Sequence, residues 1–378
     1  MGNIENFNSV ATIKVIGVGG GGNNSIQSLL DTKIDGLEFV VANTDKQVLD
    51  RFDKSLTLQL GDKRGIGAGA NPEVGKKAAE HSIHEIKEKI KNANLVVITA
   101  GMGGGTGTGA APVIAKVAKE QGSLVIAIVT TPFDFEGGKR IRVAKDGLEE
   151  LKKYVDSYVV ISNDKLIEKY GDISFRDAFK YSDNIVKQFI RTIVDIIAVP
   201  GFINLDLADL ETLIKNCGET VIGIGDGNGD NAAQKAMLKA INSPILESSI
   251  KGITKAIVYF TSSNKLSLKD FKKAIDELKS VAGQNIDIIF GVGSPVNENS
   301  EKLGEIYVSV IATGIKQKAE NNDFQLTENK FKENYASIEE TSDFLTKFPN
   351  EKIEISSLEL SDFNDDDSND SICKNFRN

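Results

Sequence analysis

Short runs of β-branched residues alternate through the first half of the chain with segments whose apolar positions recur at helical spacing. Ile13–Val18 is the first such run, followed by glycines and a helical segment at 24–30, and 38–42 reads as a second strand. Residues 72–92 read as one long helix, with Ile83, Ile86 and Ile90 on one face. A buried strand at 95–100 is again followed by glycines and a helix at 110–121, and runs at 124–130 and 157–162 continue the alternation. Apolar strands separated by helices predict a largely parallel sheet covered on both faces.

From 175 to 199 the period becomes that of one long helix. Phe179, Ile185, Val186, Phe189, Ile190, Ile193, Ile196 and Ile197 make it apolar over a wide arc, as expected of a helix lying between two domains. Runs at 257–262, 286–291 and 306–312, with a helix at 267–281, predict the smaller second domain. The expected fold class is α/β: a Rossmann-like parallel-sheet domain at 1–174, a long central helix at 175–199, and a smaller α+β C-terminal domain at 200–318.

Charge adds a fourth region. The chain has 54 acidic and 45 basic residues; 15 and 6 of them follow residue 318, which leaves 39 of each before it. All 35 glycines also precede that point. Residues 319–378 therefore carry the whole net charge of −9, and a stretch such as 364–370 cannot bury enough apolar surface to offset its ordering entropy. An acidic disordered tail is expected, either a solvated appendage or a tether ending in a docking peptide. The absence of any basic block argues against nucleic acid as a partner. Residues 1–10 lack the apolar core of a secretory signal, and no run approaches the length of a membrane span, so a cytoplasmic chain without direct membrane insertion is expected. Cys217 and Cys373 fit a reducing compartment. His81 and His84 share a polar helix face without a third ligand, and no protein metal site is expected.

The chemistry concentrates in glycine. Gly17-Val18-Gly19-Gly20-Gly21-Gly22 lies between a strand and a helix and satisfies the dinucleotide fingerprint. Gly101-Met102-Gly103-Gly104-Gly105-Thr106-Gly107-Thr108-Gly109 occupies the same kind of position after a later strand. Without Cβ atoms, such backbones can approach a phosphate and present N–H groups and a helix N-terminus to it. Two such loops suit a triphosphate better than the single pyrophosphate of a nicotinamide enzyme, and the hydroxyls of Thr106 and Thr108 would add donors. Neither loop contains lysine and there is no P-loop, so neutralisation falls to backbone amides and a bound Mg²⁺.

The segment GGGTGTG at 103–109 resembles the signature of the tubulin/FtsZ superfamily. Further segments stand in the family's order: 17–24, Val41-Ala42-Asn43-Thr44-Asp45, 67–75, 131–137, 162–166 and Asn204-Leu205-Asp206-Leu207-Ala208-Asp209. The resemblance implies GTP and GDP as ligands. By it, Gly20, Gly21, Gly22, Asn23 and Asn24 hold phosphate with Gly105, Thr106 and Gly107. Asn43 and the turn at Ala70 close around the outer phosphates, and Glu136 and Arg140 contact the ribose. Asn163 and Asp183 read the guanine, with Phe179 stacked on it; core packing remains the other reading of Phe179.

Asp206 and Asp209 lie three apart at an expected helix start, where Asn204 or Asp206 could cap it. Capping accounts for one acid but not, on sequence alone, for two neighbouring carboxylates. The resemblance implies that this segment enters the nucleotide site of the next subunit. There Asn204, Asp206 and Asp209 would complete a GTPase that works only in a head-to-tail homopolymer, at a mid-cell division ring. Two other readings remain: a Rossmann-type NAD(P) oxidoreductase built on 17–22, and a relative that assembles without useful turnover. The tail would bind membrane-tethering and regulatory partners, yet it carries no clear copy of the family's short apolar-basic docking peptide. Residues 223–229, rich in Gly, Asp and Asn, read as a mobile turn.

Overall fold

Every residue of β1 (Ile13–Val18) is buried, the signature of a strand covered on both faces. The computed structural model describes residues 11–30, 37–170, 174–198, 201–203, 205–242, 250–262, 266–293 and 306–314. The remaining strands are β2 (Leu37–Asn43), β3 (Thr57–Gln59), β4 (Leu95–Gly101), β5 (Leu124–Thr131), β6 (Ser157–Ser162), β7 (Gly201–Ile203), β8 (Gly218–Gly227), β9 (Lys255–Ser262), β10 (Asp287–Gly293) and β11 (Ile306–Thr313). The helices are α1 (Gly19–Leu29), α2 (Lys46–Leu49), α3 (Pro72–His81), α4 (Ile83–Ile90), α5 (Thr106–Glu120), α6 (Gly138–Lys152), α7 (Asn163–Tyr170), α8 (Phe175–Ala198), α9 (Leu207–Ile214), α10 (Ala232–Ile241) and α11 (Leu268–Ala282). The tail and residues 1–10 lie outside the described residues.

The strand order is β3-β2-β1-β4-β5-β6-β8-β11-β9-β10-β7. From β3 to β6 every pairing is parallel, as the alternation predicts. The order reverses between β1 and β4, which opens a crevice at their C-terminal ends, where such sheets bind ligands. Beyond β6 the sheet is mixed: β11 is antiparallel to β8 and β9, β10 is parallel to β9, and β7 is antiparallel to β10.

Two residue pairs join the halves, Ser157↔Gly218 and Tyr158↔Glu219. The hydroxyls of Ser157 and Thr220 hydrogen-bond beside them. The buried carboxylate of Asp156 takes the ammonium of Lys119 and accepts from the N–H groups of Val125 (3.0 Å) and Asn216 (3.3 Å). It thereby ties α5, β5 and the turn before β8 together.

One face of the sheet and α8 share a continuous core. Ile13, Val97 and Ile128 are in it, as are Val186, Ile190 and Ile193 of α8, and so are Ile257 and Ile311 from the second half. The opposite face of the parallel half packs separately beneath α3 to α6.

Two sequence expectations are corrected. The helix expected over 72–92 breaks at Ser82, whose hydroxyl accepts the Gly61 N–H at 2.9 Å and so draws the residue out of helical geometry. The turn expected at 223–229 is mostly strand β8. A Cβ on Gly223, Gly225 or Gly227 would stand 2.1, 2.0 or 1.9 Å from a carbonyl oxygen of α10, at Ala240, Ala236 and Ala232 respectively. These glycines form one bare face of β8, and the alanines of α10 complete a joint at backbone contact distance.

Candidate nucleotide site

The glycine loops follow β1 and β4, whose ends are in register at Val18↔Ala100. They pack backbone on backbone. A Cβ on Gly19 would lie 2.7 Å from the Gly107 nitrogen, and one on Gly22 would lie 2.3 Å from the Thr99 carbonyl. Side chains are thus excluded by the fold at these positions. Gly20 and Gly104 differ: a Cβ at either would meet nothing within 4 Å, and neither has a positive φ. The fold does not require glycine there, whereas a ligand brought against the backbone would.

The N-terminal residues of α1 and α5 make no side-chain cap bond. Both helices therefore begin at the loops with first-turn N–H groups and positive dipole ends suited to an anion. Gly21 and Asn24 are exposed, and Gly105 is buried beneath the 68–71 turn. Ala70 in that turn has a φ of 56°, a left-handed conformation that a non-glycine residue holds at a cost.

The hydroxyls divide unlike the expectation. Thr106 Oγ1 lies 2.6 Å from Thr44 Oγ1 at the rim. Thr108 is buried, and its hydroxyl accepts the Gly103 N–H at 2.9 Å, so it braces the loop from inside. The side chains of Asn23 and Asn43 are also turned into the fold. Asn43 donates to Asn23 at 2.5 Å, and Asn23 donates to the carbonyls of Gly17 (2.8 Å) and Ala42 (3.3 Å). Of Asn23, the backbone remains for a ligand.

At the next position around the crevice, Glu136 pairs with Arg140 at 2.8 Å and accepts the Phe133 N–H through its other oxygen, also at 2.8 Å. Gly103 gives Arg140 its place, because a Cβ there would be 2.8 Å from the arginine Cγ. Phe133 meets Phe179 edge to face at 5.3 Å between centroids. Phe179 remains 38 % exposed, so it belongs to an aromatic cluster while still offering surface.

Asn163 and Asp183 each bond a serine that sequence reasoning missed. Ser182 donates to Asn163 Oδ1 at 3.0 Å, and Ser25 donates to Asp183 Oδ1 at 3.1 Å. Burial pushes the Asp183 carboxyl up to about 6, with the Ser25 hydroxyl pulling the other way. A serine contacting a residue 158 positions away leaves no local sequence signal.

Asp206 and Asp209 stand apart from this crevice, at the start of α9, which packs on β9 and β11. Their proximity has a structural cause. Asp206 accepts the Asp209 N–H at 2.9 Å, and Asp209 accepts the Asp206 N–H at 3.0 Å, a reciprocal capping box. The expectation that capping explains only one of the acids is therefore corrected. The two capping bonds together use one oxygen of each carboxylate. Asn204 lies outside the described residues.

Among the described residues there is no cluster of three metal-ligating side chains, and no helix is long and apolar enough to cross a membrane.

Comparison with known proteins agrees with this geometry. Residues 12–171 match the model of the tubulin/FtsZ family GTPase domain, and residues 218–316 match that of the FtsZ family C-terminal domain. Cell division protein FtsZ of Mycoplasmopsis pulmonis is 50% identical over 343 residues, covering 90% of this chain and 86% of that protein. Among solved structures, an empty FtsZ dimer from M. jannaschii aligns with a TM-score of 0.74 at 38% identity, covering 81% of this chain and 89% of the other. GDP-bound CetZ1 from Haloferax volcanii, at 18% identity and a TM-score of 0.69, shares the fold over 81% of this chain and 95% of its own. Sheet, loops and family models define a GTPase of the tubulin type. Within that class the chain belongs to the FtsZ family of cell-division proteins, which sets aside the NAD(P) oxidoreductase.

Proposed function

We propose that the chain binds GTP between its glycine loops and hydrolyses it only when a second copy completes the site, in head-to-tail filaments that build the division ring. The observation that carries the binding part is the pair Gly20 and Gly104, glycines facing open space at the uncapped starts of α1 and α5. Gly20, Gly21, Gly22, Asn23 and Asn24 would hold phosphate through backbone N–H groups, opposite Gly105, Thr106 and Gly107. Asn43 would steady the first loop through Asn23, and the strained turn at Ala70 would close over the outer phosphates. Glu136 and Arg140 would meet the ribose, Phe179 the face of the base, and Asn163 and Asp183 its edge. A carboxylate can accept from guanine N1–H and N2–H₂ together, a donor pair that adenine lacks.

Mg²⁺ fits this donor set as a companion of the phosphates: the loops supply donors rather than carboxylates, so the nucleotide itself would provide the metal's anionic ligands. When bound, it would neutralise charge developing on the phosphates.

The need for a second copy rests on distance. Asp183 touches Ser25 beside the first loop, and α8 then carries the chain about 22 Å along its axis to Ala198. The acids of α9 follow, remote from the loops of their own chain. A neighbour's Asp206 and Asp209, with Asn204, would polarise the attacking water through the oxygens not used for capping. Loss of the γ-phosphate would then weaken the same contact. The ring would place the protein at mid-cell in the cytoplasm, with tethering and regulatory partners bound by the acidic tail.

Asp209→Asn tests this reading, since the amide oxygen can still cap α9 while the charge is lost. GDP binding should persist and GTP turnover should fall at least about tenfold. Mixed with the unaltered chain, the variant should depress turnover beyond simple dilution. Unaltered turnover by the purified variant would refute the shared site.

A further inference from the structure

Ser25 is buried on α1, with its hydroxyl 3.1 Å from Oδ1 of Asp183 and 3.2 Å from the carbonyl of Gly21, one turn back. A helical serine ordinarily bonds that carbonyl and needs no other partner. Here a carboxylate from another helix competes for the same proton, and an ionised acceptor makes the stronger bond. The carboxylate has about four acceptor sites. Oδ1 can therefore keep the serine while both oxygens receive donors from a ligand.

Among the described side chains, only Ser25 bonds Asp183 from the packed elements. α8 packs on α1, α7 and β5. Neither α1 nor β5 carries a charged residue. α7 carries Asp164, Lys165, Glu168 and Lys169, of which the side chains of Asp164 and Lys165 are described, and the charges near Asp183 on its own helix are Asp177, Lys180 and Lys187, with Asp177 and Lys180 paired to each other. Burial raises the pKa of Asp183, and the Ser25 hydroxyl lowers it.

We propose that Ser25 is a positioning residue for guanine recognition, holding Asp183 ionised and turned so that its two oxygens face the edge of the base. The inference rests on the assignment of Asp183 to guanine. The serine acts through Asp183 and itself touches no reacting atom. Its removal has a distinctive consequence: the carboxyl takes up its proton at higher pH, so affinity is lost near neutrality and regained in alkali.

The test is equilibrium binding of fluorescent mant-GDP to the full chain and to Ser25→Ala, Ser25→Cys and Asp183→Asn, from about pH 5.5 to about pH 8.5. Ser25→Ala should bind about tenfold more weakly at neutral pH, the loss of one hydrogen bond to a charged group. Its affinity should climb toward that of the unaltered chain as pH rises. Ser25→Cys, which keeps the size and a weak donor, should lie between. Asp183→Asn should bind weakly with a flat profile. Ser25 profiles that superimpose on the unaltered chain, or that are depressed equally at every pH, would overturn the positioning role if Asp183→Asn still binds weakly. Full affinity in Asp183→Asn would instead overturn the base-reading assignment.

Discussion

Gly20 and Gly22 stand two positions apart in one loop and are glycine for different reasons. At Gly22 a Cβ would collide with the Thr99 carbonyl, whereas at Gly20 it would meet nothing. Gly20→Ala should therefore leave thermal stability within about 0.5 kcal/mol while weakening GDP binding at least about tenfold. Gly22→Ala should instead destabilise the fold itself, which unfolding scans of the two variants would separate. Asp183 gives the second residue-scale prediction. Its folded-state carboxyl, raised to about 6, binds a proton more tightly than the unfolded one, so its burial penalises the fold increasingly as pH rises from about 4 to about 6, and fully above. Asp183→Asn should stabilise the nucleotide-free chain at about pH 7 and lose that advantage below about pH 4. The glycine loops were legible in the sequence because a demand on the backbone shows as a run of one residue type. Ser25 and Ser182 were not, because their partners are set by how α1, α7 and α8 meet in space.

Among the elements, the parallel strands β1, β2, β4, β5 and β6 could be read directly from their runs of apolar residues, whereas the three-residue β3 was too short to show. Strand β8 could not be read, because Gly223, Gly225 and Gly227 mimic a turn when their partner helix is unseen. The break at Ser82 was equally hidden, as it depends on the Gly61 N–H from a distant loop. The β8–α10 joint yields a prediction of its own. Gly225→Ala would force a methyl group to 2.0 Å from the Ala236 carbonyl and 2.7 Å from the Ala240 nitrogen, backbone atoms of α10 that cannot swing aside. The expected loss is about 3 kcal/mol or more, seen as a lower midpoint of urea unfolding. The capping box at α9 carries the opposite lesson. Two adjacent acids looked like chemistry in sequence, and the structure gives both a helix to cap.

At the scale of the whole molecule, crevice and acids lie in different halves of one sheet, joined through two residue pairs, Asp156 and the common core around α8. In the proposed reading, such a chain would hold one part of the GTPase site at the β1–β4 crevice and another at the start of α9. Head-to-tail contact between copies would then bring the two parts together. The charge division fits this use: residues 1–318 are balanced at 39 acidic against 39 basic residues, so copies could meet there without strong net repulsion. The most direct measurement of the central claim is the GTPase rate per subunit as a function of protein concentration. If the site is completed between copies, that rate is negligible at high dilution and rises steeply through a threshold to a plateau. A rate per subunit that stays constant across the whole range would show that one chain hydrolyses GTP unaided, and would contradict the account.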